Sequence, residues 1–417
     1  MKHPFRRESQ WLLGLSIYMG GWYYQSAAFQ IVQLGSVCLL LAAGFLTMVT
    51  NNSRPIGISV AEYLLGGAFT FAMLAAFANG NLLSTMYGAM FLLVLVSAAL
   101  LTRQEDEASI GVVFQRAYLA LLVTLLVVQP GELFTSAVGT TARGIGLVRF
   151  EPLDMHPNLS GLVYGGGALL FLQSFLTANS RRKKVFSLAV VVICLGVVLA
   201  ASARASLLAL GVTGAVAILL LAGRGSSRAR MTLAVSAVVV LGVGLLKADA
   251  IANYLTIILD LDSSTRGINS GATGRTDIWR KGIELVFSDP LLLFTGRGVR
   301  AAIGFPVESS YINLVLENGL VFGFLIVSTF VVTTWRALSQ SIQVGLVNPT
   351  LFMGGLMLLF MLTQSIFNRY LLAVGNPFSL LILFLLLRLN LRAIAAPTNA
   401  AQASPSRDQL PLNTRNW

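Results

Sequence analysis

Three short stretches of this chain carry side chains able to do chemistry together. Arg204 lies in LAASARASLLAL, Arg275 opens RTDIWRKGIELVFSDP, and Glu308 lies in FPVESSYINLVLENGL. A guanidinium is a planar fork that binds phosphate oxygens two at a time. A carboxylate partly shielded from water can take a proton from a hydroxyl. Two such cations and one such base are parts that would hold a phosphorylated donor and activate an acceptor. Each also has a plainer reading. Arg204 fits an arginine snorkelling to a membrane interface, Arg275 an exposed loop charge, and Glu308 a salt-bridge partner or helix-start acid.

A second group sits in RFEPLDMHPNLSG, with Arg149, His156 and Asn158. His156 is the rival base, and Asn158 also fits a helix N-cap after the turn at Pro157. Arg280, Arg297 and Arg300 add positive charge around Arg275. The Gly-Arg-Gly at Gly296–Gly298 reads as turn chemistry, not as a nucleotide loop.

The elements that must position these residues follow from composition. The 417 residues are 56% hydrophobic and 11% charged, with mean hydropathy +0.77. An ordinary soluble domain is about a quarter charged, so a cytosolic enzyme is excluded. Apolar runs near the length of roughly 20 residues that a span needs recur along the chain. The fold expected is an all-α polytopic membrane protein with about twelve transmembrane helices, each boundary good to about 2–4 residues. They fall near 10–27, 29–49, 60–78, 82–101, 110–129, 158–178, 185–201, 205–222, 231–247, 311–334, 350–368 and 371–390. The basic N-terminus leads straight into further spans and reads as a retained first helix. The glycines of GLVYGGGALL suit close helix packing.

The net charge of +12 lies mostly in short loops between spans, where membrane topology alone would put it. No nucleic-acid partner is inferred. Cys38 and Cys194 read as small buried apolar residues. With His3 and His156 as the two histidines, no credible transition-metal cluster can be assembled.

Threading the helices with the N-terminus inside puts Arg54, Arg103, the run Arg181–Lys184, Arg224 and Arg336 on the cytoplasmic side, as the positive-inside rule requires. Residues 1–247 then form nine helices, 248–310 a large extracytoplasmic loop, 311–392 the last three helices, and 393–417 a disordered cytoplasmic tail. Within the loop, Ile278, Trp279, Ile283, Val286 and Phe287 share one face of an amphipathic helix suited to the headgroup region. The positive residues left outside, Arg143, Arg149, Arg204, Arg266, Arg275, Arg280, Arg297, Arg300 and Arg369, have no topological reason to be there. A phosphate or diphosphate on a lipid carrier is the anion that such a surface would meet.

The order of these segments carries a resemblance. A Ser202–Arg204 turn, then GRTDIW opening a helix, a Pro-to-Gly-x-Gly connection and ESSYINLVLENGL resemble the O-antigen ligase and polysaccharide polymerase superfamily of membrane glycosyltransferases with the GT-C architecture. The match runs motif by motif over about Leu199–Phe324. The resemblance implies glycan transfer from an undecaprenyl-diphosphate donor on the periplasmic face of a bacterial inner membrane, with inversion and no required metal or cofactor. It also implies that Arg204 and Arg275 hold the diphosphate, and it admits a flippase and a chain-length regulator as partners. Ligases typically carry a histidine–asparagine pair where this chain has Glu308–Ser309, so the resemblance leans towards a polymerase, with transfer to lipid A–core as the alternative. A flippase or transporter without chemistry is the competing class. It would want charge along a midplane path, whereas the spans hold little beyond Glu62, Arg116 and Glu317.

Overall fold

A computed structural model describes residues 6–22, 27–50, 58–105, 107–129, 150–152, 155–224, 275–288, 290–300, 307–343, 346–373 and 375–402. Among the described residues the regular structure is helical apart from a hairpin of two two-residue strands, and the helices run α1 (Arg6–Gly20), α2 (Ala27–Thr50), α3 (Val60–Ala78), α4 (Leu82–Gln104), α5 (Glu107–Val128), α6 (Pro157–Thr177), α7 (Arg181–Ala200), α8 (Arg204–Arg224), α9 (Arg275–Phe287), α10 (Pro290–Thr295), α11 (Ser310–Ser341), α12 (Pro349–Ser365) and α13 (Pro377–Gln402). The hairpin pairs β1 (Ile342–Gln343) with β2 (Leu346–Val347), Ile342 opposite Val347, between α11 and α12. Eight described helices are long and apolar enough to cross a membrane: α2 to α8 and α11. The protein is thus a polytopic helical membrane protein. The expected span at 231–247 lies outside the described residues, as do most of the large loop and residues 403–417.

Local chemistry sets the helix ends. Ser59 and Glu62 form a reciprocal capping box at the start of α3, satisfying donors that a helix start leaves orphaned. Asn81, Ser180 and Asn348 cap α4, α7 and α12 from one side only, each accepting from the backbone N–H three residues on. The last helix begins at Pro377, not near 371, because the chain turns at Leu371–Leu372 and again at Gly375 (φ +87°). Asn376 Oδ1 then accepts from the backbone of Phe378 (2.9 Å) and Ser379 (3.1 Å). That helix runs on to Gln402, nine residues past the expected boundary at 393; the alanines of this stretch are strong helix formers. The basic run Arg181–Lys184 is the first turn of α7, not a loop. Cys194 is buried as expected, but Cys38 is exposed on α2.

α6 is the central helix. Of its span window 72% is buried, against 22% for α8, so it meets protein on nearly every side. Its glycines make this possible. A β-carbon on Gly165 would lie 2.8 Å from the Phe360 ring, and one on Gly166 would overlap the Phe378 ring. Those two rings meet edge to face at 5.6 Å. The expected close packing is present.

α11 is not one straight helix. Gly319 adopts φ 77°, ψ 167°, outside helical space. Beyond it the chain doubles back, so that a β-carbon on Gly323 would sit 3.0 Å from Val315 Cα. In a straight helix, residues eight apart stand about 12 Å from each other. The expected span at 311–334 is therefore two arms, Ser310–Asn318 and Leu320–Ser341. A break strands the last carbonyls of the first arm. The segment after α10 supplies their donors: the Arg297 N–H reaches Leu316 O at 2.7 Å, and the Gly298 N–H reaches Glu317 O at 3.0 Å. Glycine at 298 is needed because a β-carbon there would strike Ala76 near the C-terminus of α3.

Candidate active site

The short arm of α11 gathers the candidate residues at one end of the bundle. That end holds the C-terminus of α3 and the N-termini of α4, α6 and α8. The contacts defining it run from Gly298 against Ala76 and Ser84 to the Ser310 N–H on Asn368 O at 2.9 Å. They continue to Gln364, whose Nε2 donates to Ser206 Oγ (2.8 Å) and to Asn158 O (3.4 Å). Arg103 and Arg388 mark the opposite end, where Arg103 pairs with Glu62 and Arg388 donates to Thr102 O at 2.7 Å.

Arg275 and Glu308, distant in sequence, touch. Arg275 Nε donates to Glu308 Oε2 at 2.8 Å, with the side chains 18% and 36% exposed. The guanidinium carbon stands 6.0 Å from the centre of the Phe367 ring, which fixes it from a second side. Trp279, one turn on, donates its indole N–H to Glu308 O (3.4 Å) and packs on Phe367 (6.1 Å between ring centres). Asn313 Nδ2 donates to Val307 O at 2.6 Å, so the strand carrying Glu308 is held on both flanks. A partly exposed ion pair of this kind is worth about 0–1 kcal/mol. An incoming anion therefore loses little by competing for it.

The amphipathic helix has more apolar surface than one face. Ile278, Trp279, Leu285 and Val286 pack inward on Val307, Ile312, Val315 and Leu316. Ile283 and Phe287 are exposed, continuing into exposed Leu291 and Phe294 of α10. Trp279 is thus packed between Phe367 and the Glu308 backbone.

Arg204 is the first residue of α8, after a turn in which Ser202 takes φ +49°. α6 presses close to this turn at Gly161, where a β-carbon would overlap Ala203 and Ser206. Through Ser206, Gln364 and Phe367, the start of α8 and Arg275 flank the same short segment, Gln364–Asn368. Arg149 lies outside the described residues; its neighbour Phe150 donates its N–H to Ala200 O at 3.3 Å, beside that turn.

The remaining candidates divide. His156, not Asn158, caps α6: its Nδ1 accepts from the Asn158 N–H at 3.3 Å, with Pro157 at the first helical position. Proline has no N–H to lose there, which leaves Asn158 to turn inward, where it is 9% exposed. Arg280 pairs with Asp277 at 2.8 Å, both more than 60% exposed, on the outer face of α9 and away from Glu308. Arg297 contributes backbone to the α11 break. Arg300 donates its N–H to Glu317 Oε1 at 3.0 Å and lays its guanidinium 4.7 Å from the Tyr87 ring centre.

Sequence reasoning missed Phe367, Gln364 and the short-range role of Glu317. The stretch TQSIFNRY held a signal: polar Gln, Asn and Arg at the end of an apolar helix. Gln364 is wholly buried, and its Oε1 has no hydrogen-bond partner among the described residues; nor do the hydroxyls of Ser160 and Ser365. A buried polar group without a partner is costly. No family model matches the chain, and no curated protein matches it.

Proposed function

We propose that the chain is a membrane glycosyltransferase that moves a glycan from a polyprenyl-diphosphate donor to a sugar hydroxyl of a second lipid-linked repeat, as a polysaccharide polymerase. The observation that carries this reading is the Arg275–Glu308 pair at the bundle end where α8 begins with Arg204. Arg204 and Arg275 hold the diphosphate. The acceptor oxygen attacks the anomeric carbon from the face opposite the leaving group, and the C–O bond to phosphate breaks. Diphosphate departs with the bonding electrons, stabilised by the two guanidinium groups, and Glu308 takes the hydroxyl proton. Attack from the opposite face inverts the anomeric centre.

In this reading the bundle has twelve spans, both termini are cytoplasmic, and the site opens on the periplasmic side of a bacterial inner membrane. Arg103 and Arg181–Lys184 at the opposite end support that orientation. Glu308–Ser309 in place of a histidine–asparagine pair favours polymerase over ligase.

The test is transfer by purified protein in nanodiscs given undecaprenyl-diphosphate oligosaccharide, with and without lipid A–core. A ladder of lengthened lipid-linked glycan is expected. Product on lipid A would reassign the acceptor, and no transfer from folded protein supplied with the correct repeat would reject the reading.

A further inference from the structure

We propose that Glu308 occupies the phosphate-binding edge of Arg275 until the donor arrives, so that donor diphosphate displaces the base and makes it available to the acceptor. The inference rests on the function proposed above and concerns the order of events at the same site.

Four observations support it. The pair is a single bond, Nε to Oε2 at 2.8 Å, not the bidentate fork that guanidinium and carboxylate favour. It is partly solvated, with the carboxylate 36% exposed, so it exchanges readily with another anion. Arg275 is held from the side by Phe367, so it stays in place when Glu308 leaves. The backbone of Glu308 is anchored independently, by Trp279 at its carbonyl (3.4 Å) and by Asn313 at the preceding one (2.6 Å). The carboxylate therefore moves by side-chain rotation alone.

Two consequences follow from this geometry. A base bound to its own cation is a poor acceptor of a proton, so hydroxyl activation waits for donor binding. That order suppresses proton abstraction at an empty site. The cost is competition: the carboxylate lowers the donor's apparent affinity by the strength of the pair it must break.

The experiment measures binding of geranylgeranyl diphosphate, a polyprenyl diphosphate without sugar, to purified protein in nanodiscs by calorimetry. Glu308→Gln is expected to bind roughly three- to fivefold tighter than the wild type, the factor that a partly exposed ion pair corresponds to. Asp277→Asn removes one negative charge from the exposed face of α9, the helix that Arg275 opens, and is expected to bind as the wild type does. Arg275→Lys is expected to bind weakly, and adding Glu308→Gln to it to give no gain. Equal affinity of Glu308→Gln and wild type would overturn the inference, as would equal tightening by Asp277→Asn, which would mean general electrostatics. Absence of binding by the folded wild-type protein would instead reject the proposed function.

Discussion

Arg275 shows how one side chain is held by unlike forces: a carboxylate at its Nε, an aromatic face beside it, and a helix start beneath. Such a group is placed for planar recognition, and a point charge cannot replace it. Arg204→Ala and Arg275→Ala are each expected to lower transfer by about two to three orders of magnitude, the usual effect of losing one charge-stabilising donor. Both proteins should still elute as folded species, since neither side chain lies in the apolar core. Arg275→Lys should recover little. Initial rates with lipid-linked donor, normalised to folded protein, decide this. Full activity in either alanine variant would remove that arginine from the mechanism. At this scale the sequence was half legible. It singled out Arg275 and Glu308 by type, but their contact spans 33 positions and depends on the course of α9 and α11. The contact of Trp279 with Phe367 was hidden for a related reason: the two rings lie on elements far apart in sequence.

The elements owe their shape to a few glycines. Gly319→Ala places a side chain at φ 77°, against the backbone of Phe294. Backbone strain of this kind costs of order 1–3 kcal/mol. A lower thermal midpoint in detergent is expected, together with loss of activity, because Glu317 and the Arg297–Arg300 segment are fixed by the break. An unchanged midpoint would contradict the account of α11 given above. Gly166→Ala drives a methyl into the Phe378 ring, and overpacking of this sort costs about 1–3 kcal/mol. Adding Phe378→Leu should restore part of the midpoint, which a purely backbone effect would not allow. Element ends were legible where caps mark them, as at Ser59 and Glu62, whose box sets the start of α3 at Val60. The fold-back at Gly319 was not, since NLVLENGLVFGF is apolar on both sides of the break and glycine is common in membrane helices.

For the whole molecule the orientation is the testable property. The candidate site and the cluster of Arg103 with Arg181–Lys184 lie at opposite ends. In a background without Cys38 and Cys194, Ser288→Cys on the site side should react with a membrane-impermeant maleimide in intact cells. Ser180→Cys, which caps α7, should react only after permeabilisation. The reverse pattern would put the site on the cytoplasmic face and with it reject the donor chemistry proposed. The class was legible because 56% hydrophobic composition leaves no other solvent for these helices. The span count was less so. α1, with 15 residues, and α12, with 17, fall short of a full crossing by length, and periodicity alone does not say how neighbours make up the difference.

The donors that Arg297 and Gly298 lend to the interrupted helix bear on biogenesis. Bare carbonyls are not tolerated in hydrocarbon, so the first arm cannot settle beside the other helices until the preceding connection has arrived to complete it. That connection leaves the ribosome first. Insertion of this helix and placement of the Arg297–Arg300 segment beside it are thereby coupled.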